Sequence, residues 1–273
     1  MENQRDETQD QPGNVKSVGD VIKRLPMKNT LPASPGNPLK EQAASETPCE
    51  ICRGAHFIHP SLAEGGVDYS RVIPCQCIRT KLEEEKRKRM LRMCELPPKA
   101  RSWTFETFEA LPGLEEACEA ALELADERAA SNWLTLMGGT DRGKTHLLAA
   151  ICHRWLDRGK PARYTYVPRL LEELRRGFRG EGDMSYEARW DFFLNVPLLA
   201  LDDLGTENRT PWVQERLDTL IDSRLVSGLA LVVTTNLPME DLSFRTRSRL
   251  TRQGRIVYIA APEYNTRLDR RTS

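Results

Sequence analysis

Residues Gly138-Gly139-Thr140-Asp141-Arg142-Gly143-Lys144-Thr145 fit the pattern G-x-x-x-x-G-K-[ST]. Each fixed position has a chemical reason. Glycines let the backbone curl until successive N–H groups converge on phosphate oxygens, ahead of a helix whose dipole favours anions. Lys144 then reaches the β- and γ-phosphates, the Thr145 hydroxyl suits Mg²⁺, and His146 continues the cradle. The alternative is a glycine-rich surface turn. The flanking residues favour nucleoside triphosphate binding, because an apolar run precedes the motif and a helical pattern follows it.

Two further groups suit the same chemistry. Asp202-Asp203 follows the apolar run Val196-Pro197-Leu198-Leu199-Ala200-Leu201, at the carboxyl end of a strand, where α/β sheets place their ligands. Asp202 is suited to the Mg²⁺ shell and Asp203 to orienting an attacking water. A turn or helix cap is the plainer reading of two adjacent acids. Asn236 ends the run Leu229-Ala230-Leu231-Val232-Val233-Thr234-Thr235. It is a candidate for polarising that water or reading the γ-phosphate, or else a turn residue tolerant of unusual backbone. Arg245, Arg247, Arg249, Arg252 and Arg255 crowd one segment, as a solvated basic face or as a source of transition-state charge for a neighbouring subunit.

Cysteines carry a second chemistry. Cys49 and Cys52, spaced C-x-x-C, are followed by Cys75 and Cys77, spaced C-x-C. Four thiolates in two close pairs suit a tetrahedral structural Zn²⁺, and a module of about 30 residues has too little core to fold without one. His56 or His59 can replace one ligand; unliganded thiols are the alternative. Cys118 and Cys152 sit on apolar helix faces and are expected in the core.

These groups need a scaffold, and the chain alternates strand and helix from residue 101 onward. Trp133–Met137 reads as a buried strand. Leu147, Leu148, Ile151, Cys152, Trp155 and Leu156 repeat at helical spacing. Residues 162–167 read as another strand, Leu170, Leu171 and Leu174 as a helix, and Leu217, Leu220, Ile221 and Leu225 as another. Leu114, Cys118, Ala121, Leu122 and Ala125 mark a helix before the first strand. Such alternation predicts a parallel sheet flanked by helices.

The expected organisation has five parts. Residues 1–47 are polar and expected to be largely disordered, with a short amphipathic helix at about 16–25 carrying Val18, Val21, Ile22 and Leu25. That helix packs on its own domain or docks on a partner. A zinc module spans 48–77, and a charged, solvated helix with linker spans 78–100. Its acids precede its bases, as the helix dipole favours. A nucleotide-binding domain spans 101–265, followed by a tail at 266–273.

The phosphate motif, Leu199-Ala200-Leu201-Asp202-Asp203-Leu204-Gly205, Val233-Thr234-Thr235-Asn236-Leu237 and Arg245-Thr246-Arg247-Ser248-Arg249-Leu250 together resemble replicative-helicase loaders of the DnaC/DnaI type, within the AAA+ ATPases. Leu96-Pro97-Pro98-Lys99-Ala100-Arg101 and Thr104-Phe105-Glu106-Thr107-Phe108 are similar to that family's entry into its ATPase domain. The resemblance covers about residues 94–265. It implies a P-loop αβα three-layer sandwich, ATP with Mg²⁺, single-stranded DNA, and assembly on a hexameric DNA helicase. It also implies that Asn236 is sensor 1 and that Arg249 is an arginine finger acting in trans between copies. Arg267 is the candidate for sensor 2. Asp203 stands where many members have Glu, which implies slow turnover suited to a switch. A transposition helper ATPase of the IstB type shares nearly the same domain, and a nucleotide-binding adaptor that never hydrolyses ATP is a further alternative.

Composition narrows the classes. The 273 residues carry 40 basic and 40 acidic side chains, so nucleic-acid contact must come from local patches. No apolar run approaches the roughly 18 residues a membrane helix needs. Met1-Glu2-Asn3-Gln4-Arg5-Asp6 lacks a signal-peptide core. The expectation is a cytoplasmic protein without membrane contact, whose seven cysteines serve metal or core rather than disulfides.

Overall fold

The computed structural model describes residues 49–179 and 185–264. The expected tail and its helix at 16–25, the tail at 266–273 and Arg267 lie outside the described residues. Backbone contacts divide the chain into Met1–Ala55 and His56–Ser273. Within the first unit, residues 49–55 form a tight turn, with the Arg53 and Ala55 N–H groups donating to the carbonyls of Cys49 and Cys52.

The second unit opens with a short antiparallel pair, β1 (Phe57–Ile58) and β2 (Ile73–Pro74). Helix α1 (Gln76–Cys94) follows, then a 3₁₀ turn at Pro98–Ser102 and α2 (Glu115–Ala125). From there strand and helix alternate: β3 (Trp133–Met137), α3 (Lys144–Asp157), β4 (Ala162–Tyr166), α4 (Val167–Phe178), α5 (Tyr186–Asn195) and β5 (Leu198–Asp202). Helix α6 (Pro211–Val226), β6 (Ala230–Thr235), α7 (Phe244–Gln253) and β7 (Arg255–Tyr258) complete it. The last five strands form one parallel sheet in the order β4-β5-β6-β3-β7.

Successive side chains on a strand face opposite sides, and the buried strand residues divide accordingly. Leu198, Ala200, Ala230, Val232, Leu134 and Leu136 pack with α1, α2 and α3. Leu199, Leu201, Leu231, Val233 and Trp133 pack with α4, α5, α6 and α7. The result is the expected αβα sandwich, with continuous apolar strands because both faces are covered. The phosphate motif and Asp202 lie at the carboxyl ends of β3 and β5, and Asn236 follows β6. The second core also holds Arg224, fully buried, whose guanidinium donates to the carbonyls of Phe193, Leu194, Val196, Pro197 and Ala230. Burial pulls its pKa down, while those five acceptors keep the cation solvated by the end of α5 and the start of β6.

Several details differ from the sequence reading. Helix α1 is not simply solvated. Met90 and Cys94 are buried in the first core, and Arg87 pairs with Asp157 of α3 at 2.6 Å. Its first turn carries no acid, so the dipole argument applies only to Arg92 in the last turn. The strand at 162–167 stops at Tyr166, because Val167 and Pro168 begin a helix, a position proline favours. Cys152 is fully buried as expected, whereas Cys118 is half-buried against the same core. Helix α5 and strand β7 were not anticipated.

Candidate functional site

The loop between β3 and α3 bends through left-handed backbone at Gly138 (φ 153°), Asp141 (φ 54°) and Gly143 (φ 81°). A side chain would clash with backbone at Gly138 and crowd a ring at Gly143. A Cβ at Gly138 would lie 2.7 Å from the Ile259 carbonyl oxygen, and one at Gly143 would meet the Phe108 ring at 3.0 Å. The loop then opens directly into α3, with Gly143 as the cap and Lys144 as the first helical residue. Lys144 is buried, and its ammonium donates to the carbonyls of Gly138 (2.9 Å) and Gly139. Burial lowers its pKa, while Asp203 and Asp202 nearby oppose the shift.

Across the cleft, Asp202 ends β5 and is held by three hydroxyls. Thr234 (2.6 Å) and Thr145 (3.1 Å) donate to Oδ1, and Tyr164 donates to Oδ2 (2.7 Å). Burial, then the charge of Asp202, raises the pKa of that tyrosine. Asp203 takes a left-handed backbone (φ 63°), uncommon for a non-glycine residue. Its N–H donates to Thr234 Oγ1 at 2.8 Å, and Asn236 Nδ2 donates to its carboxylate. Burial and the neighbouring Asp202 carboxylate raise the Asp203 pKa. The Asn236 Oδ1 is buried with no hydrogen-bond partner among the described residues, so the amide keeps one acceptor for an incoming group.

These residues share one cleft of about 460 Å³, lined by Thr140–His146, Asp202, Asp203, Thr234 and Asn236, and also by Trp103, Tyr166 and Tyr264. The three aromatics were missed from sequence. Trp103 stacks on His146 (centroids 5.4 Å apart), and Phe108 meets both His146 and Tyr264 edge-on. The His146 ring donates from Nε2 to the Thr104 carbonyl at 3.0 Å, and burial lowers its pKa. His146 therefore fastens the lead-in segment to α3, and the lead-in supplies one wall of the cleft. Its signal was the density of aromatics at Trp103, Phe105 and Phe108 beside a segment already singled out.

The residues present fit Mg²⁺ and a phosphate chain. Asp202 Oδ1 and Thr145 Oγ1 are hard oxygen donors set side by side, and the glycine positions leave bare backbone facing a lysine.

Residues 76–247 match the family described as IstB-like ATP binding protein, which is more than half of the chain. The chain belongs to that family. Its fold is similar to the crystal structure of DnaI (24% identity, TM-score 0.52, 62% of this chain and 94% of that one). It is also similar to the DnaC helicase loader (20% identity, TM-score 0.53, 60% and 99%). A third likeness is the replication initiator DnaA bound to AMPPCP and single-stranded DNA (21% identity, TM-score 0.54, 62% and 52%). The chain spans about half the length of the replication initiators it matches. These likenesses are of fold: a parallel sheet with a phosphate loop after β3 and helices on both faces.

Two predicted groups of this IstB-like chain lie outside the cleft lining. Arg249, on α7, donates from Nε to Asp222 of α6 at 2.6 Å, and Arg245 reaches the other oxygen of that carboxylate at 2.7 Å. These contacts hold the Asp222 pKa low. Cys49, Cys52, Cys75 and Cys77 are a group of thiols that could hold a metal ion, and none of the seven cysteines forms a disulfide. Four thiolates are the donor set of a tetrahedral structural zinc, so the chemistry of the group fits that ion. His56 Nδ1 stands 3.8 Å from Cys77 Sγ, while His59 is bonded to the Arg71 carbonyl. Among the described residues, no helix is long and apolar enough to cross a membrane.

Proposed function

We propose that this protein is an ATP-dependent loader of a hexameric replicative DNA helicase onto single-stranded DNA, working as an oligomerising switch. The observation that carries the reading is the convergence of the phosphate loop, Asp202-Asp203 and Asn236 in one cleft at the carboxyl edge of the sheet. In this reading the loop N–H groups from Gly138 to Thr145, with Lys144, bind the phosphates. Trp103 and Tyr264 give the base an apolar wall, and Thr145 and Asp202 hold Mg²⁺, which neutralises phosphate charge. Asp203 orients the water, and its tie to Asn236 links that water to the γ-phosphate. Arg249 leaves Asp222 to complete the site of an adjoining copy. The parts are a 48–77 module for partner contact, a helical linker at 78–100 and an ATPase domain at 101–265. The similarity to DnaI and DnaC along nearly their whole solved lengths supports the loader reading over other AAA+ roles.

The test mixes the protein with the replicative helicase of its own host, ATP and a closed single-stranded circle. Helicase loaded onto the circle only when the protein and ATP are both present is the expected result. The family description favours a second reading, a transposition helper of the IstB type. ATP turnover and DNA binding without any complex with the helicase would select it. Absence of turnover under all conditions would leave only a nucleotide-binding adaptor.

Zinc is proposed at the four cysteines. One equivalent of zinc per chain is expected by elemental analysis, and Cys52→Ser should reduce it to a small fraction. Because the metal stands in for a missing core, chelation should expose residues 49–75 to proteolysis while nucleotide affinity stays within about twofold, since the phosphate loop is on a separate sheet with its own core. Metal-free protein with unchanged protease resistance would exclude a structural zinc.

A further inference from the structure

We infer that Tyr164 makes the phosphate site selective for Mg²⁺ over Ca²⁺, by holding one oxygen of Asp202 and so keeping the site poor in carboxylate ligands. The inference rests on the ATP-binding reading of this cleft and names a specificity-determining residue that is absent from the cleft lining.

Tyr164 stands on the edge strand β4, with Ala200 of β5 as its register partner. Its ring is buried in the first core, and its hydroxyl donates to Asp202 Oδ2 at 2.7 Å. Packing alone would accept phenylalanine here, without a buried hydroxyl that needs a partner. The other oxygen, Oδ1, accepts from Thr234 at 2.6 Å and from Thr145 at 3.1 Å. Asp202 is therefore already held in place from Oδ1, and the Tyr164 bond adds something other than anchorage. A carboxylate has about four lone-pair sites. Three hydroxyls leave Asp202 roughly one, on Oδ2.

The donors differ in how they respond to a cation. Thr145 is half-buried at the cleft, and with its one proton given to Asp202 its oxygen keeps lone pairs for a metal. Tyr164 has no such freedom. Its ring is fixed in the core, and among the described residues Asp202 is the acceptor its hydroxyl reaches. Turning away would leave a buried donor unpaired, so the bond persists when a cation arrives. The protein then offers one hydroxyl oxygen and about one carboxylate lone pair. Mg²⁺ suits so sparse a set, because it keeps several waters and fills its octahedron with phosphate oxygens. Ca²⁺ takes six to eight oxygens and draws its affinity from carboxylates, often with both oxygens of one group. Tyr164 withholds from it half of what Asp202 has left beyond Oδ1.

Tyr164→Phe keeps the buried ring and deletes only the donor. The full-length protein is titrated with a fluorescent ATP analogue in metal-free buffer, then at fixed nucleotide with Mg²⁺ or with Ca²⁺. In Tyr164→Phe the Ca²⁺ concentration giving half the metal-dependent change in affinity is expected to fall about fivefold, the scale of one hydrogen bond. The Mg²⁺ value and the metal-free Kd should stay within about twofold, because Mg²⁺ gains little from a further carboxylate oxygen. A tyrosine that only braces the strand would shift the two metals alike. A Ca²⁺-to-Mg²⁺ ratio that stays within about twofold of wild type, or moves toward Mg²⁺, overturns the inference and leaves the ATP-binding reading standing. A wild-type protein that binds the nucleotide in none of the three buffers overturns that reading, and the role of Tyr164 with it.

Discussion

Lys144→Ala is expected to weaken nucleotide binding about a hundredfold, the loss of roughly two charge-assisted hydrogen bonds, while leaving the protein folded. The contacts of the side chain explain both halves of that expectation. Lys144 is buried, and among the described residues its ammonium donates to the carbonyls of Gly138 and Gly139. Among the described residues no carboxylate is hydrogen-bonded to it, and burial depresses its pKa. A cation held this way is an expense to the fold that phosphate relieves, so its removal costs binding rather than stability. A pH dependence follows with a definite sign. Phosphate binds the protonated amine, and the pKa lies below that of an ordinary lysine. Affinity should therefore fall with rising pH earlier than an ordinary lysine allows, and Lys144→Ala should lose that limb. Isothermal titration across alkaline pH measures both effects. A variant within threefold of wild type would remove Lys144 from the phosphate site.

The parts of this site that were legible in sequence are those where local pattern and tertiary role coincide. The loop at 138–145 and the strands ending at Asp202 and Thr235 are contiguous. Their strands are buried on both faces, so unbroken apolar runs announce them. Strand β7 is an edge strand with only Val257 fully buried, and Arg255-Ile256-Val257-Tyr258 reads as the end of a basic segment. In α5 only Phe193 is fully buried, and the aromatic spacing of Tyr186, Trp190 and Phe193 is a weaker signal than an aliphatic stripe. Helix α1 hides its buried edge, Met90 and Cys94, beneath a run of charge. Contacts that depend on register were not legible at all. Tyr166 is paired with Asp202 across the sheet, yet it is Tyr164, two residues earlier, whose hydroxyl reaches the carboxylate. Length and direction of a side chain decide that contact, and spacing does not encode them. The same holds for the tie between Asn236 and Asp203, which needs the left-handed turn at 203 to bring the two side chains together.

Arg249→Ala is expected to cut ATP turnover about a thousandfold with nucleotide affinity near wild type, if the guanidinium completes a neighbour's site. Its position makes that reading testable in an unusual way. Arg249 is absent from the lining of its own cleft and is bonded to Asp222, so within one copy it has a structural partner instead of a phosphate. Loss of that pair alone costs little, because both side chains are partly exposed and Arg245 also holds Asp222. A thousandfold effect could then come only from another copy. Mixing separates the cases. Arg249→Ala and Lys144→Ala are each inactive alone, but an interface between them can pair the intact phosphate loop of one with the intact arginine of the other. Random one-to-one mixing produces that pairing at about a quarter of interfaces, so roughly that fraction of wild-type turnover should return. An arginine acting within its own subunit cannot be restored this way, because no subunit in the mixture has both residues. Activity that stays at the level of the separate variants would therefore place Arg249 with Asp222 as a structural pair, and return the question of the finger to Arg245 and Arg247 on the same helix.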